Sequence, residues 1–264
     1  MRGQVLFAIA MVLGASGASA ANDAPICPDR PSKSTGECTV PAGRVQIETG
    51  LVDWTHDRRE GATSNFTTFG ATLIKYGLSG KADIELGLTP VQTSSVRVAG
   101  VHDTATGFGD MVVRVKYKLT SDDAPILIAL DPFVKLPTAN HRLGNGKVEG
   151  GLVVPMSAQL GKSGLTLSLD PELDLLADND GHGTHASMIQ VVNLGVSASD
   201  RLSLSAELWG QWNWDPAGTV RQASADGSIA YLVNKDLQLD AGANIGLNRE
   251  TPDVELYTGL SVRF

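Results

Sequence analysis

Charged side chains recur at every second position in short stretches of this 264-residue chain: Arg114, Lys116 and Lys118 in one, and Asp170, Glu172 and Asp174 in another. Glu207 with Gln211, and Asp240 with Asn244, hold the same polar phase in two further stretches. A spacing of two places each set on one face of a β-strand. Basic and acidic ladders opposed across a narrow interior would set a transverse field that selects polar or amphipathic solutes. The blander alternative is a salt-bridge network that fills a closed interior. Both readings demand that these faces point inward, because a cation set against lipid at mid-depth costs about 2–4 kcal/mol.

The segment Asp178-Asn179-Asp180-Gly181-His182-Gly183-Thr184-His185 also gathers carboxylates and imidazoles. Its last four residues resemble the histidine motif of subtilisin-like proteases, but that chemistry also needs a serine at a helix start and an α/β fold. Helical spacing is almost absent here. A divalent ion could be captured by the same octapeptide, although a Gly-rich loop seldom preorganises such a site, and a solvated loop is the preferred reading. No metal, cofactor or catalytic residue is therefore expected. A hydrolase at the rim, with Asp178 and His185, is the alternative from another class, and a non-conducting structural or receptor barrel is a third.

The elements that carry these residues show strand periodicity. Met111, Val113, Val115, Tyr117 and Leu119 alternate with the basic ladder, and Leu165, Leu167, Leu169, Leu173 and Leu175 alternate with the acidic one. Twelve such runs follow, near 43–54, 65–77, 82–90, 108–119, 126–136, 147–160, 165–176, 186–198, 201–214, 221–233, 236–248 and 254–264. Most hold ten to fourteen residues, and a tilted strand crosses a bilayer in about 9–11. Connections alternate between short turns and longer loops, the latter at 55–64, 91–107, 137–146, 177–185, 215–220 and 249–253, as in membrane barrels. Trp212, Trp214 and Tyr117 fall where interfacial girdles belong. The expected fold is all-β, a single antiparallel up-and-down transmembrane barrel of about twelve strands over residues 43–264. Pro132, Pro155 and Pro171 interrupt strands, and the periodicity gives no reason for their tolerance.

Residues 1–20 read as a secretory signal, with Arg2, the apolar run Val5 to Leu13 and a cleavage site at Ala18-Ser19-Ala20. Its loss removes Arg2 alone and takes the formal net charge from −8 to −9, so nucleic acid is a poor partner. Cys27 and Cys38 then lie in an exported segment, 21–42, where an oxidising compartment favours a disulfide. An even number of strands puts both chain ends on the short-turn, periplasmic side. The expected address is the bacterial outer membrane, with its lipid and a small organic solute as partners.

Particular residues also carry a resemblance. Asp29-Arg30-Pro31-Ser32, Thr39 to Glu48, Tyr76-Gly77-Leu78 running on to Ile84 to Gly87, and Gly107-Phe108-Gly109-Asp110 before Lys116-Tyr117 resemble an outer-membrane transporter family named after the meta pathway of phenol degradation. The resemblance implies a barrel for uptake of small organic, often aromatic, compounds. Val254, Leu256, Leu260, Val262 and Phe264 likewise look like the C-terminal signal that the barrel-assembly machinery recognises. Cys27 and Cys38 depart from the family pattern, and leave open whether residues 21–42 plug the lumen or loop beneath it.

Overall fold

The computed structural model describes residues 24–161 and 164–264; the expected signal, 1–20, lies outside them. Fifteen strands form among the described residues. They are β1 (Val45–Arg59), β2 (Ala62–Gly77), β3 (Ala82–Leu88), β4 (Val91–Val98), β5 (Val101–Gly107), β6 (Met111–Lys118), β7 (Leu127–Leu136) and β8 (Glu149–Val153). After them come β9 (Met156–Gln159), β10 (Leu165–Ala177), β11 (Thr184–Ser197), β12 (Leu202–Asn213), β13 (Val220–Asn234), β14 (Leu237–Gly246) and β15 (Val254–Arg263). Three staves of the wall are each interrupted once, so that β3 continues as β4, β5 as β6 and β8 as β9. The fifteen strands thus make twelve antiparallel staves. Pairing of β1 with both β2 and β15 closes the barrel.

Burial inverts the order of a water-soluble domain. Lys75, Lys116, Gln46, Glu48, Glu85, Asp83, Asp131 and Asp170 are among the largest fully buried side chains, whereas Leu204 is 41% and Leu173 60% exposed. The leucines form an oily outer belt and the charges an enclosed polar core, as the alternation requires. Tyr76, Tyr117 and Tyr231 mark the belt at the short-turn end, and Trp212 and Trp214 at the other.

Two expected loops prove to be strand. Segment 91–107 folds as the hairpin β4–β5, turning at Ala99-Gly100, and 55–64 lengthens β1 and β2 around Glu60-Gly61. Both turns carry two successive positive φ values (49° and 79°, 48° and 84°), the backbone of a tight twisted hairpin. Together β1, β2, β4 and β5 raise a four-stranded fin above the belt.

The prolines fall at gaps in the hydrogen-bond ladder. Pro155 lies in the break between β8 and β9, beside the part of β10 around Pro171 that skips the ladder on that side while still pairing with β11 on the other. Pro132 lies where the β6–β7 pairing skips from Arg114 opposite Phe133 to Tyr117 opposite Leu130. A donor missing at such a gap costs little, which explains why three prolines are tolerated.

Candidate functional site: a plugged lumen

Residues 28–41 lie inside the barrel, tied to most of its staves, while Ala24, Pro25, Cys27 and Ala42 are exposed at the short-turn rim. Cys27 and Cys38 are bonded, with Cα atoms 6.4 Å apart, and close a loop that carries Asp29, Arg30, Lys33 and Ser34 into the lumen. The plug meets the wall charge for charge. On the β1–β2–β6 side, Asp29 accepts from Lys75 and from Lys116 (2.7 Å), and Glu48 takes the amides of Asp29 (2.9 Å) and Arg30 (3.1 Å). Lys75 also pairs with Glu48 at 2.8 Å. Round the other side of β1, on β14 and β13, Arg30 pairs with Asp240 at 2.8 Å and Lys33 with Asp226 at 3.2 Å. Glu207 accepts from the amides of Lys33 and Ser34, and Asp170 accepts from the Ser34 hydroxyl at 2.6 Å.

Glycines in the polar phase make room for this segment. Gly50 of β1 faces Gly259 of β15 across the ladder. A Cβ at Gly259 would stand 2.5 Å from the Arg30 guanidinium, and one at Gly50 would stand 3.2 Å from it. The guanidinium therefore lies in a slot that any larger residue would fill. Similarly, a Cβ at Gly77 would collide with the backbone of Val40 and Pro41.

The lumen residues expected from the sequence divide accordingly. Lys116, Asp170, Glu207 and Asp240 grip the plug. Arg114 bonds Asp131 at 3.0 Å and lies over the Phe133 ring at 4.9 Å, on the long-loop side of the plug. Asp174 is buried and Glu172 half-buried on the facing stave. Gln211 donates to Ser187, and Asn244 to Glu255, nearer the long-loop mouth. Lys118 stands apart, paired with Asp122 in the β6–β7 turn. The opposed ladders exist, but Asp29 lies among the lysines and Arg30 and Lys33 among the carboxylates. The plug thus offsets part of the wall charge, alongside the wall carboxylates that already pair with Lys75, Lys116 and Arg114. Sequence reasoning did not place Asp29, Arg30, Lys33, Lys75, Glu48 and Asp226 in the lumen; Glu48, Lys75 and Asp226 share the polar phase of their strands, and glycine in that phase was the local signal for the plug.

Space remains on both sides of the plug. A cavity of about 250 Å³ toward the short-turn end is lined by hydroxyls and amides, among them Ser197, Ser203, Ser228, Asn193 and Gln238. Another of about 330 Å³ lies between Thr35 of the plug and Leu73, Leu88 and Val112 of the wall. A third, of about 230 Å³, is bounded by Lys33, Trp209, Asn244 and Glu255. Lys33 stands 4.6 Å from the centre of the Trp209 ring there.

His185 joins two loops at the rim, with Nδ1 2.8 Å from Asp178 and 3.7 Å from Asp215. Among the described residues no serine or cysteine is hydrogen-bonded to it, so the geometry brings no nucleophile to the dyad. Nor do the described residues include a group of three or more His, Cys, Asp or Glu side chains able to hold a metal. The amide of Ala217 donates to Asp215 (2.7 Å) and holds its carboxyl below the ordinary aspartate range. Burial works the other way, and the Asn179 amide (3.0 Å) and His185 add to the lowering. A depressed carboxyl contributes stability that is complete above its unfolded pKa and is lost as pH falls through the folded value. The loop clasp is therefore expected to hold down to about pH 4, the unperturbed aspartate value, and to loosen only below it. Trp214 fluorescence followed during acidification checks this; a change centred between pH 5 and 7 would contradict it.

No curated protein matches the chain. Among solved structures it is similar to an outer membrane channel from Pseudomonas putida F1, with a TM-score of 0.68 and 16% identity over 89% of this chain and 100% of that one. It is also similar to the NanC porin, with a TM-score of 0.53 and 11% identity over 83% and 98% of the two chains. At these identities the likeness establishes the fold, that of an outer-membrane β-barrel. The family described as "Putative MetA-pathway of phenol degradation" matches residues 28–264, which take in every stave and the plug from Pro28 onward but not Cys27, and the chain belongs to that family.

Proposed function

We propose that this chain is an outer-membrane channel for small organic solutes, and that its own N-terminal segment narrows the passage. The carrying observation is the plug itself, a polar segment ion-paired to the wall of a lumen whose outer surface is oily. The belt supports an address in the outer membrane, and the solved channel and porin of similar fold support conduction. Aromatic and apolar surfaces on the route support an amphipathic or single-ring solute. Trp209 and Phe133 face inward beside cations. On the fin, the register sets Phe66, Val96, Val98, Val101 and Ala105 in one phase with Asp103, which Arg142 of the β7–β8 loop engages from the lumen side. The same phase also holds Asp57, Arg59, Ser64 and Ser94, so an organic solute would meet an amphipathic face first. Phe264, at the end of β15, is proposed to be read by the barrel-assembly machinery.

The disulfide supplies a test. A loop of this size restrains the unfolded segment by about 3 kcal/mol in the chain-entropy view. In planar bilayers the native chain is expected to give small, steady single-channel steps. Cys27→Ser/Cys38→Ser is expected to add larger, fluctuating ones, with single-ring aromatic alcohols entering vesicles faster than sugars of equal mass. Neither current nor solute entry from either form, in vesicles that demonstrably contain the barrel, would contradict a channel.

A further inference from the structure

The outer face of the fin changes character row by row, and its chemistry matches a phosphorylated saccharide surface. Strand register defines the rows. Val52, Phe69 and Val91 lie side by side at the top of the belt. Two residues further up come Trp54, Thr67, Thr93 and Thr106, then His56, Asn65, Ser95 and Thr104, and finally Arg58, Thr63, Arg97 and His102. Side-chain contacts confirm that these rows share one face. Trp54 stacks on His56 at 5.5 Å and donates to Asn65, Thr93 meets Thr106 at 3.0 Å, and Ser95 meets His102 at 2.8 Å.

The sequence of rows is therefore aliphatic, indole with hydroxyl, amide with hydroxyl, and guanidinium. Strand rise is about 3.3 Å per residue and barrel tilt about 40°, so each row climbs about 5 Å along the barrel axis. The arginine row stands about 10 Å above the indole row, beyond the hydrocarbon and level with lipid headgroups. Arg58 and Arg97 are exposed, and neither side chain has an ion-pair partner among the described residues. A two-strand separation sets them about 10 Å apart, with the Thr63 hydroxyl between them. Arg58 also lines, with Arg59, Arg249, Glu60 and Glu250, a groove between the β1–β2 tip and the β14–β15 loop; that mixed groove is no anion site, and Arg58 stands where it meets the outer face. The outer rows contain no carboxylate of their own and are the better match; the Asp253 carboxyl accepts the Arg58 backbone amide at 2.9 Å, so Arg97 has the more cationic surroundings.

We propose that the outer face of the fin binds the phosphate-bearing sugar headgroup of a glycolipid in the outer leaflet. Arg58 and Arg97 would take phosphate groups, and the threonine, serine and asparagine rows the sugar hydroxyls. Guanidinium suits this task because its planar fork pairs with phosphate through two hydrogen bonds. The proposal rests on the membrane address given above, and its test separates the two.

The full chain is reconstituted into phosphatidylcholine vesicles alone, with added lipopolysaccharide, or with phosphatidylglycerol at matched charge. The heat-induced change in gel mobility reports the unfolding midpoint. Lipopolysaccharide is expected to raise the midpoint by several degrees, phosphatidylglycerol or inorganic phosphate far less. Arg58→Ala/Arg97→Ala should lose more than half of the shift, Arg58→Lys/Arg97→Lys should keep most of it, and Lys81→Ala at the opposite rim should behave as the native chain. An equal shift with phosphatidylglycerol or free phosphate, or an undiminished shift in the alanine variant, would overturn the proposal. Failure to insert into any vesicle would overturn the membrane address and this inference with it. Insertion without a lipopolysaccharide effect would overturn this inference alone. If the alanine variant does not fold, Arg97→Glu alone, expected to abolish the shift, decides the matter.

Discussion

Arg30→Ala is expected to release the plug. The substitution leaves the Asp240 carboxylate, fully buried at its side chain, without the guanidinium that lies 2.8 Å away. Removing one partner of such a pair costs about 3–5 kcal/mol, much of it the penalty of an uncompensated buried charge. That moves the ratio of docked to undocked plug by about two orders of magnitude or more. Single-channel recordings should show long openings several times larger than the native steps. Arg30→Ala/Asp240→Ala removes the orphaned charge and is expected to recover much of the docked state, which a general loosening of the barrel would not do. Gly50→Val provides a second route, since it fills the slot while keeping both charges. Native-sized steps in Arg30→Ala would show that the clasp does not hold the plug.

The second large effect concerns the barrel itself. Lys116 lies 2.7 Å from Asp29 and 3.6 Å from Glu85, and is wholly buried. Lys116→Ala leaves Asp29, Glu48 and Glu85 facing Lys75 alone. A loss of about 3–5 kcal/mol is again expected, here as a markedly lower temperature for the mobility change of the folded barrel. Glu85→Gln added to Lys116→Ala should restore much of that loss, because the pocket then holds two carboxylates and one ammonium. An unchanged midpoint in the single variant, or no recovery in the double, would contradict the account of a charge-matched interior.

How far the fold could be read depended on how local its causes are. Alternation within one strand is a two-residue property, so the inward phase of Lys116, Asp170, Glu207 and Asp240 was legible, as were twelve staves and their short turns. The fin was not, because the phase slips where Leu51 and Gly70 interrupt the β1–β2 register. Above that point the hydroxyls face outward and valines such as Val96 and Val98 face inward. A reading that equates greasy with outward sees no strand there. Lys118 has the right phase, but it lies so close to the β6–β7 turn that Asp122 takes it. The plug was hidden for a different reason. Asp29 finds Lys116 across 87 positions and Arg30 finds Asp240 across 210, and no local pattern encodes a partner so remote. What the sequence does carry is the imprint of the contact, glycines 50 and 259 in a phase otherwise reserved for charge.

Occupation of the lumen by residues 28–41 is tested most directly by photo-crosslinking. Thr35 shares a cavity with Leu73, Leu88 and Val112. A benzophenone side chain placed at Thr35 in the folded, membrane-inserted chain should form adducts that map to β2, β3 and β6 around those residues. Adducts confined to the short turns or to other proteins, or none at all, would place the segment outside the barrel and contradict the account.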